Sequence, residues 1–155
     1  MIAETLSPKE NHGEIFTKPS VVELMLSLAK IAPDKISPSF KILEPSCGSG
    51  EFLAAALKRL FTDASFKKAF LCSPLKFRGL FTAFELLPHN VEECKTRLLE
   101  ILISIGVLDK EGQILVDTWV IEGDFLLTEI EERFDAVVGN PPLRKNRRNR
   151  QKTAR

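Results

Sequence analysis

The stretch 40-FKILEPSCGSGEFLAAALKRLF-61 decides the fold. FKILE (40–44) reads as a short strand, PSCGSG (45–50) as a turn, and EFLAAALKRLF (51–61) as a helix rich in Ala and Leu. Two glycines at such a turn let the backbone pass close to a ligand, and the next helix offers free N–H groups. A dinucleotide fingerprint needs a third glycine at position 53, which is Leu53, and there is no Gly-Lys-Ser/Thr for a phosphate loop. The carboxylate of Glu44 beside a turn without phosphate-binding features suits a cationic or zwitterionic ligand better than a pyrophosphate.

Upstream, Val21, Val22, Leu24, Met25, Leu28, Ala29 and Ile31 recur at helical spacing, with Thr17 or Ser20 as cap and Glu23 as capping-box partner of Ser20. Pro33 and Pro38 end that helix. Downstream, 62–78 is lysine-rich and weakly patterned, a short helix and a loop. LFTAFE (80–85) is strand-like. Asn90 is placed to cap a helix carrying Val91, Cys94, Leu98, Ile101, Leu102 and Ile105 on one apolar stripe, and Gly106 is its stop. TWVIEGD (118–124) and FDAVVGN (134–140) read as third and fourth strands. Strands alternating with helices at this spacing predict an α/β domain with a parallel sheet and helices on its faces. Ligands on such sheets bind beyond the carboxyl ends of the strands, which makes the residues after each strand the candidates for function.

Composition fits that picture. With 155 residues, 44% hydrophobic and 28% charged, one soluble globular domain is expected. MIAETLSPKENHGE has no basic flank leading into an apolar segment, so neither leader nor membrane span is expected, and a cytoplasmic location is. Cys47, Cys72 and Cys94 fit no zinc spacing and no complete disulfide framework, so no metal site is expected. His12 and His89 read as surface residues. Residues 144–155 carry seven basic side chains and no acid, leaving 15 basic against 21 acidic residues in 1–143. The body is acidic and only the tail is basic, so whole-chain charge says little about nucleic acid.

Four strand ends then supply candidate chemistry. Glu85 closes the second strand, where a carboxylate can accept bonds from both hydroxyls of a ribose. Asp124 closes the third and can accept from an adenine amino group, while Phe125 packs on a ring face. As isolated residues, both acids are more often solvated termini or turns. Asn140-Pro141-Pro142 closes the fourth. Asn-Pro commonly starts a turn, but a double proline fixes the backbone. The Asn140 amide and the Pro141 carbonyl are then two held acceptors side by side, as a planar –NH2 group requires.

Taken in order, GEIFTKPSVVELML (13–26), ILEPSCGSGEFL (42–53), FELLP (84–88), GDFLL (123–127) and FDAVVGNPPL (134–143) resemble the amino-methyltransferase family of bacterial N6-adenine DNA methylases. The similarity is greatest to the methylase parts of restriction–modification systems. It implies a Rossmann-like S-adenosylmethionine-dependent methyltransferase fold whose full sheet runs 3-2-1-4-5-7-6. This sequence supplies strands one to four, a partial parallel sheet of order 3-2-1-4 with flanking helices. The resemblance places Phe16 and Thr17, with the glycine turn and its flanks (Pro45, Cys47, Gly48, Gly50 and Phe52), around the methionine part of the donor. Glu44 falls near its ammonium, Glu85 on its ribose, and Asp124 with Phe125 on its adenine. Asn140, Pro141 and Pro142 form the catalytic loop, and Leu143 stands where the family usually has an aromatic residue to stack on a base flipped out of DNA. Cysteine-based attack of the cytosine C5 type takes its nucleophile from a loop after strand four, so Cys47 is read as packing.

The domain expectation is 1–143 as the N-terminal portion of a methyltransferase catalytic domain and 144–155 as a disordered basic tail. The partner expectation is DNA, with a second chain supplying the missing strands and target recognition. Truncation, whether by a frameshift, a premature stop or the cut edge of a larger gene product, is favoured over a native nucleic-acid-contacting extension as the origin of the tail. The competing readings are an inert remnant that at most binds cofactor or nucleic acid, and an N-methyltransferase of protein glutamine or RNA.

Overall fold

The computed structural model describes residues 18–140, which lie within one compact unit. Phe16, Thr17, Pro141, Pro142, Leu143 and the basic tail fall outside the described residues. The elements run α1 (Pro19–Leu28), β1 (Ile42–Glu44), α2 (Glu51–Leu60), α3 (Ala64–Cys72), β2 (Phe81–Glu85), α4 (Pro88–Ile105), α5 (Asp109–Trp119), β3 (Val120–Glu122) and β4 (Ala136–Val137). Two 3-10 turns, Pro74–Phe77 and Phe125–Leu127, complete the set.

The four strands form one sheet in the order β3-β2-β1-β4, and every pairing is parallel. Ile42 stands opposite Phe81 on one side and Ala136 on the other, which puts β1 at the centre. All three residues of β1 are buried, as a parallel strand covered on both faces requires. Because the strands are parallel, their carboxyl ends share one edge, and Glu44, Glu85 and Glu122 end their strands there. Among the described strands β4 is an edge, and Val137 on it is 63% exposed.

Packing explains the helices. Leu53, Ala56, Leu57 and Leu60 of α2 recur at helical spacing and are fully buried. Val91, Cys94, Leu98 and Leu102 form the predicted stripe on α4, with Ile101 and Ile105 half-buried. Gly106, at φ 106°, ends α4 as expected, with Val107 N–H on the Leu102 carbonyl at 3.1 Å and both of those side chains buried. Lys30 closes α1 in the same way at φ 55°, and Ile31 N–H reaches the Leu26 carbonyl at 3.0 Å. Asp63 caps α3 by accepting from Phe66 N–H at 2.7 Å, so 62–78 is the expected short helix and loop.

Four local expectations are corrected. Ser20 lies inside α1, where Pro19 supplies the first turn without a side-chain cap, and Glu23 pairs with Arg59 at 3.4 Å. Asn90 lies inside α4, buried, because Pro88 starts that helix two residues earlier. Thr118 and Trp119 are helical, so β3 is shorter than 118–124. Finally, two helices rather than one separate β2 from β3, since 109–119 forms α5.

Trp119 shows why α5 exists. Its ring is fully buried edge-on to Phe81, with centroids 5.2 Å apart, and its indole N–H donates to the Phe77 carbonyl at 3.1 Å. Trp119→Phe removes that bond and part of the volume. It is expected to cost about 1–3 kcal/mol in urea unfolding. A variant as stable as wild type would contradict this anchoring role.

Candidate functional site

At the shared edge, the chain leaving β1 turns through Pro45 to Gly50. Cys47 N–H donates to the Phe84 carbonyl at 2.9 Å, and Gly50 N–H to the Cys47 carbonyl at 2.9 Å. The turn is therefore tied both to itself and to β2. Gly48 at φ +53° and Gly50 at φ +83° adopt left-handed backbone that other residues take only with strain. Among the described residues, no atom beyond its own chain neighbours lies within 4 Å of where a Cβ on Gly48 would stand, so the backbone is open there. At Gly50 a Cβ would meet Cys94 Sγ at 2.5 Å, so α4 packs directly on the turn.

Glu85 braces this arrangement. One carboxylate oxygen accepts Gly48 N–H at 2.9 Å and the other accepts Leu87 N–H at 2.8 Å. A single side chain at the end of β2 thus holds the glycine turn and the approach to α4. Both oxygens keep a further lone pair. The backbone of β2 continues the contact, since Gly123 N–H donates to the Glu85 carbonyl at 2.9 Å and brings the end of β3 alongside.

Glu44 contrasts with Glu85. It is buried at the end of β1, and among the described residues its Oε2 has no hydrogen-bond partner. Burial first, then the neighbouring Cys94 and Glu85, push its carboxyl well above the usual carboxylate range. Cys47 is also buried, and its thiol lies 3.7 Å from the Gly48 carbonyl. The adjacent Cys94 thiol and burial push its pKa far up, so it is a thiol and not a nucleophilic thiolate. Phe52 is buried in the core behind the turn.

At the end of β3, Asp124 accepts Leu126 N–H at 2.9 Å and caps the 3-10 turn. Phe125 is half-buried, its ring edge-on to Phe84 with centroids 5.6 Å apart. At the end of β4, a Cβ on Gly139 would stand 3.5 Å from Pro45 Cδ, so the residue before Asn140 lies against the glycine turn. Asn140 itself is exposed. Of the residues singled out from sequence, Glu44, Pro45, Cys47, Gly48, Gly50, Glu85, Asp124, Phe125 and Asn140 thus lie at or just after strand ends on one edge of the sheet. The edge further includes Leu87 N–H and Cys94, neither of which the sequence alone marks as part of a site. Cys94 is visible there only as one member of a helical stripe, and nothing local shows that the stripe meets the turn.

The model of the family described as N-6 DNA Methylase matches residues 3–155. The chain belongs to this family. It is 35% identical over 137 residues to the type II methyltransferase M.BstVI of Geobacillus stearothermophilus, covering 84% of this chain and 24% of that protein. Identity to the type II methyltransferase M.PaeR7I of Pseudomonas aeruginosa is 32% over 133 residues, covering 86% of this chain and 23% of that protein. For M.XhoI of Xanthomonas vasicola, also a type II methyltransferase, it is 31% over 134 residues, with shares of 86% and 24%. The chain therefore spans about a quarter of the length of the curated relatives it matches. No solved structure matches it. Family membership agrees with the Rossmann-like methyltransferase fold and its four-stranded order, and it carries with it the need for a methyl donor.

Among the described residues, no group of three His, Cys, Asp or Glu side chains is arranged to hold a metal ion. Among them, too, no helix is long and apolar enough to cross a membrane.

Proposed function

We propose that this chain is the donor-binding and catalytic-loop portion of an N6-adenine DNA methyltransferase of restriction–modification type, with S-adenosylmethionine as the methyl donor. The observation that carries this reading is the edge where Glu44, the glycine turn and Glu85 converge, with the end of β4 packed on Pro45. The residues fit such a donor. A buried carboxyl with an unpartnered oxygen suits a cationic group, and an open left-handed glycine permits close backbone approach. In this reading Glu44 faces the ammonium, and Glu85 accepts from the ribose hydroxyls with its remaining lone pairs. Asp124 and Phe125 hold the adenine, and Phe16 and Thr17 lie against the methionine part. When bound, the donor supplies an electrophilic methyl carbon.

The chain's own contribution is to prepare the nucleophile. An exocyclic adenine amine is weakly nucleophilic because its lone pair is delocalised into the ring. Asn140 Oδ1 and the Pro141 carbonyl would accept both amine protons, which favours a pyramidal nitrogen and stabilises the positive charge that grows during transfer. The double proline keeps both acceptors in place. Leu143 offers only apolar contact to the flipped base. The strands and target-recognition parts found elsewhere in the family's length would come from further polypeptide pairing with the exposed edge at β4. The domain assignment is then 1–143 as the N-terminal portion of the catalytic domain, with 144–155 a basic tail.

The test is transfer of labelled methyl from S-adenosylmethionine to DNA, with the chain alone and with the remaining portion of a relative added. Asn140→Ala is expected to lower the rate by about 10²–10³-fold while donor affinity is unchanged. An unaltered rate would remove Asn140 from the catalytic role. Donor binding without transfer under either condition would favour the inert-remnant reading. Transfer to RNA or protein and not to DNA would favour those substrates.

A further inference from the structure

Glu44 is the one buried side chain among the described residues with a polar atom lacking any partner. Unpaired buried polar groups are rare because each forfeits the water it leaves behind. A buried carboxylate without a cation is costlier still. The groups that face it make matters worse for a negative charge. Glu85 approaches from β2, and the Cys94 thiol from α4. The Cys47 thiol adds to them from the glycine turn. Arg97, one turn beyond Cys94 on α4, is engaged with Glu51 and Glu93. Of the two acids, Glu85 accepts the N–H groups of Gly48 and Leu87 on its two oxygens, whereas among the described residues Glu44 Oε2 has no such donor.

We propose that Glu44 is a neutral acid in the free protein and loses its proton to solvent when a cationic group of the donor reaches the end of β1, so that donor binding is coupled to proton release. The inference rests on the donor site set out under Proposed function and adds a regulatory property to it. Its physical basis is an exchange of partners. Before binding, a proton neutralises the buried carboxyl, and after binding the ligand's positive charge takes that place. The O–H bond of Glu44 breaks, its electron pair stays on the carboxylate, and the proton passes to buffer.

Linkage sets the sign. Glu44 holds a proton in the free state that it lacks in the bound state, so raising the pH favours binding. Affinity should rise by up to roughly tenfold per pH unit while Glu44 is protonated in the free protein and ionised in the complex. It should level off once the free protein has itself lost the proton. A donor analogue without either cationic group, such as methylthioadenosine, should show no such dependence.

Titration calorimetry of the full chain with S-adenosylmethionine, in buffers of different ionisation enthalpy, measures the protons released. About one per ligand is expected, with none for methylthioadenosine. Infrared spectra give a second readout, in which loss of the band in the wild-type protein does not depend on how Glu44→Gln folds. The free protein should show a protonated-carboxyl band that disappears on adding S-adenosylmethionine and is absent from Glu44→Gln. Binding with no proton release, or a free protein without that band, would overturn the coupling while leaving the donor site standing. Absence of any donor binding would overturn both.

Discussion

Gly50→Ala is expected to destabilise the domain by about 2–5 kcal/mol, the sum of two separate costs. The first is conformational, since Gly50 sits at φ +83°, where an L side chain is strained. The second is steric, since the new Cβ would stand 2.5 Å from Cys94 Sγ, on a helix anchored by a fully buried stripe. The costs can be separated. Cys94→Ala in the Gly50→Ala background removes the sulfur and should recover part of the loss. The remainder persists, because the φ penalty stays and Cys94 Cβ and Cα are still 3.3 and 3.4 Å away. Urea unfolding of the four proteins in the double-mutant cycle gives the coupling directly. Additive effects of the two substitutions would show that the turn and α4 are not in contact.

Glu85→Ala is expected to cost about 2–4 kcal/mol, and to weaken donor binding as well. The carboxylate accepts two backbone N–H groups from segments on either side of the site, and alanine leaves both without their charged partner. Glu85→Gln separates bracing from charge. Its amide oxygen can still accept one N–H, but its –NH2 meets the other as donor against donor, so roughly half the stability loss is expected. If alanine and glutamine were both as stable as wild type, Glu85 would not be a brace, whatever it does for the ligand.

The supersecondary pattern is legible because each element announces itself locally. β1 reads from FKILE, the turn from its two glycines, and α4 from a stripe that ends at Gly106. The features that escape depend on contacts between distant segments. α5 has buried residues at 112, 115, 116 and 119, a helical spacing that is present in the sequence. It is hard to read because no side chain caps its start and Gly112 lowers its helix propensity. That glycine is used for packing, since a Cβ there would meet Leu99 Cδ1 at 2.7 Å. Trp119 reads as strand because an aromatic beside Val120 and Ile121 looks like a β run.

The site is legible in part for the same reason. Parallel strands put their ends on one edge, so the residues just past each strand gather into one neighbourhood. Side-chain state is not legible. Glu44 and Glu85 look alike as acids ending strands, yet among the described residues one has an oxygen, Oε2, without a partner and the other holds two backbone N–H groups. That difference comes from how the turn folds back on β2, through Cys47 N–H to the Phe84 carbonyl at 2.9 Å. Similarly, Asn90 reads as a cap and is buried inside its helix, whereas Asp63, within the weakly patterned stretch 62–78, is a cap.

The most direct measurement is an amide NMR titration of the full chain with S-adenosylmethionine. The N–H signals of Gly48, Gly50 and Leu87 are expected to shift together and saturate at a common ligand concentration, accompanied by those of Gly123 and Asp124 at the end of β3. Signals that stay fixed at the glycine turn, while residues at the opposite end of the sheet move or nothing moves at all, would contradict a donor site at this edge.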